Sequence, residues 1–221
     1  MNLKLVAFLF VFLFSAFSSA AILVDGKLDE PEWQEAQKIS NFLTVYPNDK
    51  SKPKFKTEVR IFSNKKGIYF GFSNEQPIKT QTVLKHPRDK WWVDADRNFI
   101  MIDFDGNANS GYEFSITLGD TLRDAIWTNE NEKSSSWDAI WYGKTYQTKT
   151  AWFSEVFIPW EVAPMSNLNE EQRKIKVSFM RKHHQANKFY SFPGSWYEQS
   201  PFLSNFSTIL VENPSDIKTS R

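Results

Sequence analysis

The chain has 221 residues, 27 basic and 26 acidic side chains, 16% aromatic residues, nine tryptophans and no cysteine. Without cysteine there are no disulfides, no thiolate metal sites, no cysteine nucleophile and no lipoprotein acylation site. The charge balance speaks against a nucleic-acid or anionic-membrane partner, either of which would want a clear basic excess.

Residues 1–20 read as a signal peptide. Lys4 is a positive start, Leu5 to Phe14 is an unbroken apolar run, and Ser18-Ser19-Ala20 offers small residues for cleavage after Ala20. The run is short for a bilayer, which takes about 20 apolar residues in a helix, so no stable membrane span is expected after cleavage. With Lys4 gone, 26 basic side chains face 26 acidic ones. About 200 residues remain, enough for one domain. The expected location is periplasmic or extracellular. Such a chain has to rely on core burial, helped by a metal if one binds.

Ile22–Val24 predicts a first short strand, and Asp25-Gly26 a turn. Asp29 and Pro31 predict the start of a short helix over Glu30–Ala36, with Trp33 facing inward. Ile39–Val45 predicts a second strand. Thr57–Phe62 and Ile68–Ser73 alternate around Asn64–Gly67 and predict a hairpin. Asn74–Lys90, with Pro77 and Pro87, predicts a long irregular connection.

The stretch from Trp91 to Trp127 is the most distinctive. Two tryptophans lead into an acidic turn, then a strand over Arg97–Asp103, a loop rich in Asp, Asn and Gly, and a second strand over Tyr112–Leu118. The loop, Asp105–Gly111, exceeds what a tight turn needs, and such loops often carry function. Arg123–Thr128, Trp137–Gln147, Thr150–Ile158, Ile175–Arg181 and Phe206–Val211 predict further strands. Asn129–Ser136 reads as a polar loop, Asn167–Gln172 as a short helical turn, Phe189–Phe202 as an aromatic loop and Glu212–Arg221 as a loose tail. About ten to twelve short strands with regular turn signals and no long helix predict an all-β antiparallel sandwich, jelly-roll or immunoglobulin-like, over residues 21–211. Tryptophan is a demanding core filler, because its indole N–H needs a partner, so nine of them suggest that some face a ligand.

Several patterns line up in order: Asp25-Gly26-Lys27-Leu28-Asp29-Glu30 with Trp33, Tyr69-Phe70-Gly71-Phe72, Asp94 through Asp103, Tyr112-Glu113-Phe114, Trp137-Asp138 with Trp141, and Trp152 through Trp160. In these the chain resembles the family 9 carbohydrate-binding modules over nearly its whole length after residue 20. It is most similar to divergent members at the N-terminus of bacterial outer-membrane barrel-like proteins. The chain ends where those continue, so a free-standing module is expected. The resemblance implies a β-sandwich that binds an oligo- or polysaccharide without cutting it, in the service of carbohydrate catabolism. It also implies a clamp of two tryptophans around a sugar, charged side chains on the hydroxyls and, in some members, structural calcium.

By that likeness Trp91 and Trp92 stand where one wall of the clamp falls, and Trp196 where the second falls. Strand neighbours point to opposite faces, so Trp92 is preferred over Trp91. The same tryptophans would serve equally as core or as loop anchors. Arg123 matches a sugar-contacting arginine, with an ion pair to Asp120 or Asp124 as the alternative. Trp127, Trp137 and Trp141 are further aromatic candidates, the last two structural. Trp152 and Trp160 read as core, and Glu155 as structural. Asp103, Asp105 and Asn107 suit calcium, with Asn109 and Glu113 near them, although the same residues make a hydrogen-bonded turn without metal.

Three other functions compete. A glycosidase would pair two carboxylates such as Glu113 and Glu155, yet no G-x-S-x-G or other nucleophile motif is present. A haem carrier would use Met180 with His183 or His184, although Arg181 and Lys182 make that strand end read as solvated. An assembly module of the bacterial cell envelope would bind a protein partner through an apolar patch and no sugar.

Overall fold

The computed structural model describes residues 22–90, 93–166, 170–198 and 201–214. Two antiparallel sheets face each other. The smaller holds β1 (Gln37–Ile39), β3 (Thr57–Asn64), β4 (Gly67–Glu75), β10 (Ala151–Pro159) and β9 (Tyr142–Gln147), in that order across the sheet. The larger runs β2 (Leu43–Tyr46), β12 (Lys188–Phe192), β11 (Gln172–His183), β5 (Arg97–Asp103), β6 (Ser110–Thr117), β7 (Leu122–Thr128) and β8 (Glu132–Ser134). β13 (Ser207–Glu212) pairs with the first half of β11, on the edge whose second half takes β12. This is the expected all-β sandwich.

Side-chain alternation builds the core. β5 sends Ile100 and Ile102 inward, β6 sends Tyr112, Phe114 and Ile116, and β10 sends Val156 and Ile158. Phe70 and Phe72 of β4 meet Phe179 of β11 across the layer at 5.6 and 5.9 Å. Each buried side chain of this size contributes about 1.5–3 kcal/mol. Trp152 and Trp160 are core as expected, and Trp141 is buried with its indole N–H on Asp124 at 2.8 Å.

The outer face of the smaller sheet is covered by the N-terminal segment. Ile22, Trp33 and Ala36 pack on Tyr69, with Trp33 on the short helix α1 (Glu32–Glu35). Glu155 of β10 fastens this segment. Its carboxylate accepts the N–H groups of Asp25 at 2.9 Å and Gly26 at 3.0 Å and the Trp33 indole N–H at 3.2 Å. Gly26 sits at φ +92°, and a Cβ there would stand 2.7 Å from the Thr145 carbonyl carbon, so this approach admits only glycine.

Burial pushes the Glu155 carboxyl up to about 7, against the N–H groups that favour its charged form. A carboxyl raised on folding stabilises the fold below its unfolded value, and that contribution is lost as pH rises through about 7. Between about pH 5 and about pH 8 the wild type is expected to lose on the order of 3 kcal/mol through this group. Glu155→Gln should lack that loss. Urea midpoints of both proteins at both pH values test it, and an identical pH dependence would refute the assignment.

Several sequence expectations are corrected. Ile22–Val24 is no strand, because it crosses over the sheet face, with the Leu23 N–H on Glu30 at 3.2 Å. Ile39–Val45 divides into β1 and β2 in different sheets, and the buried Phe42 marks the crossing between them. The polar loop after Thr128 contains β8, and the aromatic loop begins as β12. Arg181, Lys182 and His183 are not solvated but 0%, 5% and 5% exposed, because β11 continues through them between β5 and β12. β13 and the Asn213 N–H, on Glu171 O at 2.8 Å, carry ordered pairing two residues beyond the expected domain end. Residues 1–20, Trp91, Trp92, residues 167–169 of the expected 167–172 turn and residues 215–221 of the expected tail lie outside the described residues. Among the described residues, no helix is long and apolar enough to cross a membrane.

Candidate functional site

The outward-facing residues of the larger sheet form a second cluster that the inter-sheet core does not use. β5 alternates, so Arg97, Phe99 and Met101 point away from the core. β6 adds Glu113, β7 adds Arg123 and Trp127, and β8 adds Lys133. Met180 and Phe189 arrive from β11 and β12, and Tyr197 and Phe202 close over from the segment before β13. Together they line a cleft of about 310 Å³. Its walls are mostly apolar and its floor is charged.

The walls are aromatic. The Trp127 ring lies 5.0 Å from Phe202 and 5.9 Å from Tyr197. Trp196 is 5% exposed and stands behind Tyr197 at 4.2 Å, wedged against Phe189 at 5.0 Å. Tyr197 itself is 38% exposed. Thus the tyrosine after the expected tryptophan lines the cleft, and Trp196 backs it.

The floor is organised by Glu113, 2% exposed at the centre of the sheet. Its two oxygens accept Lys133 Nζ at 2.6 and 2.7 Å, and Oε2 also accepts the Trp127 indole N–H at 2.9 Å. Lys133 stands directly opposite Trp127 across the β7–β8 pair, its ammonium 5.1 Å from the ring centroid. Glu113 therefore fixes both the ring that walls the cleft and the cation beside it. Burial pushes the Lys133 ammonium down despite Glu113. Burial, with Arg123 nearby, pushes Arg97 down to about 10, so it remains charged at neutral pH.

Arg123 faces this cleft. The two carboxylates named as its alternative partners hold other groups: Asp124 takes Arg88 and Trp141 on the opposite face, and Asp120 takes Lys144 at 3.2 Å. Trp137 packs on Tyr112 at 4.9 Å and belongs to the core side. Sequence reading missed Arg97, Phe99, Lys133 and Tyr197. The alternation Arg97–Phe99–Met101 carried a signal: a strand whose outward positions are also bulky has something to cover there. Lys133 had none, because β8 is three polar residues, Glu-Lys-Ser, in a run that reads as a loop.

The loop proposed for calcium is a separate groove of about 350 Å³ at the other end of β5. Asp103 accepts the N–H groups of Asp105, Gly106 and Ala108 at 3.2, 2.8 and 2.7 Å. Asp105 takes the Ser166 N–H at 2.9 Å and Arg173 at 3.1 Å, and Asn107 takes the Asn109 N–H at 3.0 Å. Asp103, Asn107 and one Asp105 oxygen thus serve the turn and an ion pair, so the loop is held together by its own hydrogen bonds. Among the described residues, no group of three or more His, Cys, Asp or Glu is placed to hold a metal. Calcium or EDTA is expected to leave the thermal midpoint unchanged. A calcium-dependent rise of several degrees would show that the loop rearranges around the ion.

Geometry also bears on the competing chemistries. Glu113 and Glu155 lie on opposite outer faces of the sandwich, so they cannot flank one scissile bond. Met180 lines the cleft, whereas alternation sends His183 to the other face of β11.

Sheet architecture and cleft define a two-sheet β-sandwich with one aromatic, charged outer face. No family model matches the sequence, and no curated protein matches it. Solved structures do. A family 9 carbohydrate-binding module from Caldicellulosiruptor kristjanssonii in complex with cellotriose aligns at a TM-score of 0.56 and 12% identity, over 91% of this chain and 95% of that one. The same organism's module in complex with glucose gives 0.57 and 11%, over 90% and 96%. A proposed carbohydrate-binding protein from Bacteroides uniformis gives 0.57 and 14%, over 81% and 88%. The chain thus has a family 9 carbohydrate-binding-module-like fold.

Proposed function

We propose that the protein binds carbohydrate non-covalently in the cleft on the outer face of the larger sheet and performs no chemistry there. The observation that carries this is the pairing of aromatic walls, Trp127, Tyr197 and Phe202, with a floor of fixed charged groups, Glu113, Lys133, Arg97 and Arg123. Sugar rings offer apolar C–H faces to aromatic rings and hydroxyls to charged donors and acceptors, so both halves of such a ligand are met. The cellotriose and glucose complexes of the structural neighbours support the same reading. Secretion through residues 1–20, a periplasmic or extracellular setting and a part in carbohydrate catabolism complete the proposal. Trp91 and Trp92 remain candidates for a further wall.

The test is a titration of the mature protein with mono- and oligosaccharides, glucose and cellotriose included, followed by tryptophan fluorescence. A saturable response that Tyr197→Ala abolishes in a folded protein supports the cleft. No saturable response to any sugar would overturn the reading in favour of a protein partner.

A further inference from the structure

A second cavity, of about 280 Å³, shares no lining residue with the aromatic cleft. Lys52 and Lys54 reach it from the loop before β3, Gln185 from the turn between β11 and β12, and Lys188 from the start of β12. No Asp or Glu lines it. His183, the last residue of β11, also lines it. It is almost fully buried, and neither ring nitrogen has a hydrogen-bond partner among the described residues. Buried polar groups are rarely left unsatisfied, so an unpartnered imidazole in a cavity wall needs an explanation. Lys188 stands directly across from His183 in the β11–β12 pair. The Phe55 ring lies 6.1 Å from the imidazole, with the Lys54 ammonium 5.4 Å from its own centroid. Two carboxylates act on these groups from outside the lining. Asp96 acts on His183, but its oxygens accept the His184 N–H at 2.9 Å, Gln76 Nε2 at 2.9 Å and the Thr82 N–H at 2.8 Å. Asp49 acts on Lys188 while its Oδ1 holds the Ser51 N–H at 2.9 Å and hydroxyl at 2.7 Å.

We propose that this cavity is a second binding site, for a tetrahedral oxyanion, phosphate or sulfate, free or as the ester group of a larger molecule, held by Lys52, Lys54 and Lys188 beside His183. It is independent of the carbohydrate reading, and either can fail without the other. A tetrahedral anion accepts hydrogen bonds from several directions, which suits ammonium groups arriving from separate segments. Burial pushes the His183 imidazole down; Asp96 opposes this, and Arg181, His184 and Lys188 add to it. An anion beside the ring favours the imidazolium, whose two N–H groups are both donors, so binding should take up a proton.

The experiment titrates the full chain with inorganic phosphate, sulfate and glycerol 3-phosphate by calorimetry, at constant ionic strength with chloride as the control anion. Saturable binding of phosphate or sulfate that chloride does not reproduce is expected. Lys188→Gln is expected to weaken it by about tenfold or more. Lys52→Gln, on an exposed loop, keeps the test open if another variant fails to fold. Sulfate carries no titrating proton between about pH 5.5 and about pH 8, so its affinity isolates the histidine. That affinity should rise as pH falls across this range, and His183→Asn should flatten the rise. Glycerol 3-phosphate binding more tightly than phosphate would assign the group to an ester, and equal affinity to the free ion. No saturable response beyond that to chloride, or full affinity in Lys188→Gln and Lys52→Gln, would overturn the proposal. A pH dependence unchanged in His183→Asn would overturn the placement beside His183.

Discussion

Replacing Glu113 with alanine is expected to abolish carbohydrate binding and to cost the fold about 3 kcal/mol. Three consequences add up at this one position. The Trp127 indole N–H loses its acceptor, and Lys133 loses the carboxylate that compensates its burial. Arg97 also loses a nearby negative charge that favours its protonated form. Lys133 can turn partly to water, since its side chain is 25% exposed and β8 is an edge strand, and this limits the stability cost. Binding has no such escape, because the wall and the floor cation are held by the same two oxygens. Glu113→Gln separates the two roles: the amide oxygen still accepts from Trp127, but the charge is gone. Its stability should fall between wild type and alanine, and its binding should weaken without disappearing. Urea midpoints and sugar titrations of both variants decide this. Full-strength binding in Glu113→Ala would place the ligand elsewhere.

How much of this site was legible beforehand depended on where the signal lay. β5 was readable to the residue, because a short apolar run, Phe99 to Ile102, between two turn signals leaves few other options. Glu155 was readable as structural from its apolar neighbours, and it proves to be the clasp of the N-terminal segment. Arg123 was placed through resemblance and stands in the cleft. Lys133, in contrast, becomes a site residue only because β8 pairs with β7 and puts it across from Trp127. Tyr197 and Trp196 are adjacent in sequence, and nothing local says which one lines a cleft and which one backs it. The run Arg181-Lys182-His183 misled for a related reason. Its composition looks like a solvated strand end, yet it crosses the middle of the sheet. The partners that make its burial tolerable lie more than a hundred residues away in sequence.

Those distant partners make Arg181 the other position where one substitution should have a large effect. Arg181 is fully buried between the sheets. Nη1 donates to Thr57 Oγ1 at 2.9 Å and Lys56 O at 3.3 Å, and Nη2 donates to Glu75 O at 2.9 Å and Gln76 Oε1 at 2.8 Å. Gln76 in turn donates to Asp96 at 2.9 Å and accepts the Trp152 indole N–H at 3.0 Å. One guanidinium thus joins the larger sheet to the ends of β3 and β4, and its charge answers the buried Asp96. Burial pushes it down to about 10, so it stays protonated in any physiological buffer. Arg181→Met fills much of the volume but strips donors from several acceptors and removes a positive charge that acts on the buried Asp96. The expected loss is about 3–5 kcal/mol, a large share of the total for a domain of this kind. Arg181→Lys keeps the charge without the fork and should lose less. The cleft lies on the other face of β11, so sugar binding by whatever folded Arg181→Lys remains should be close to wild type. Denaturant unfolding of the two variants measures the difference. A methionine variant within about 1 kcal/mol of wild type would mean that the network orders this end of the sandwich without stabilising it.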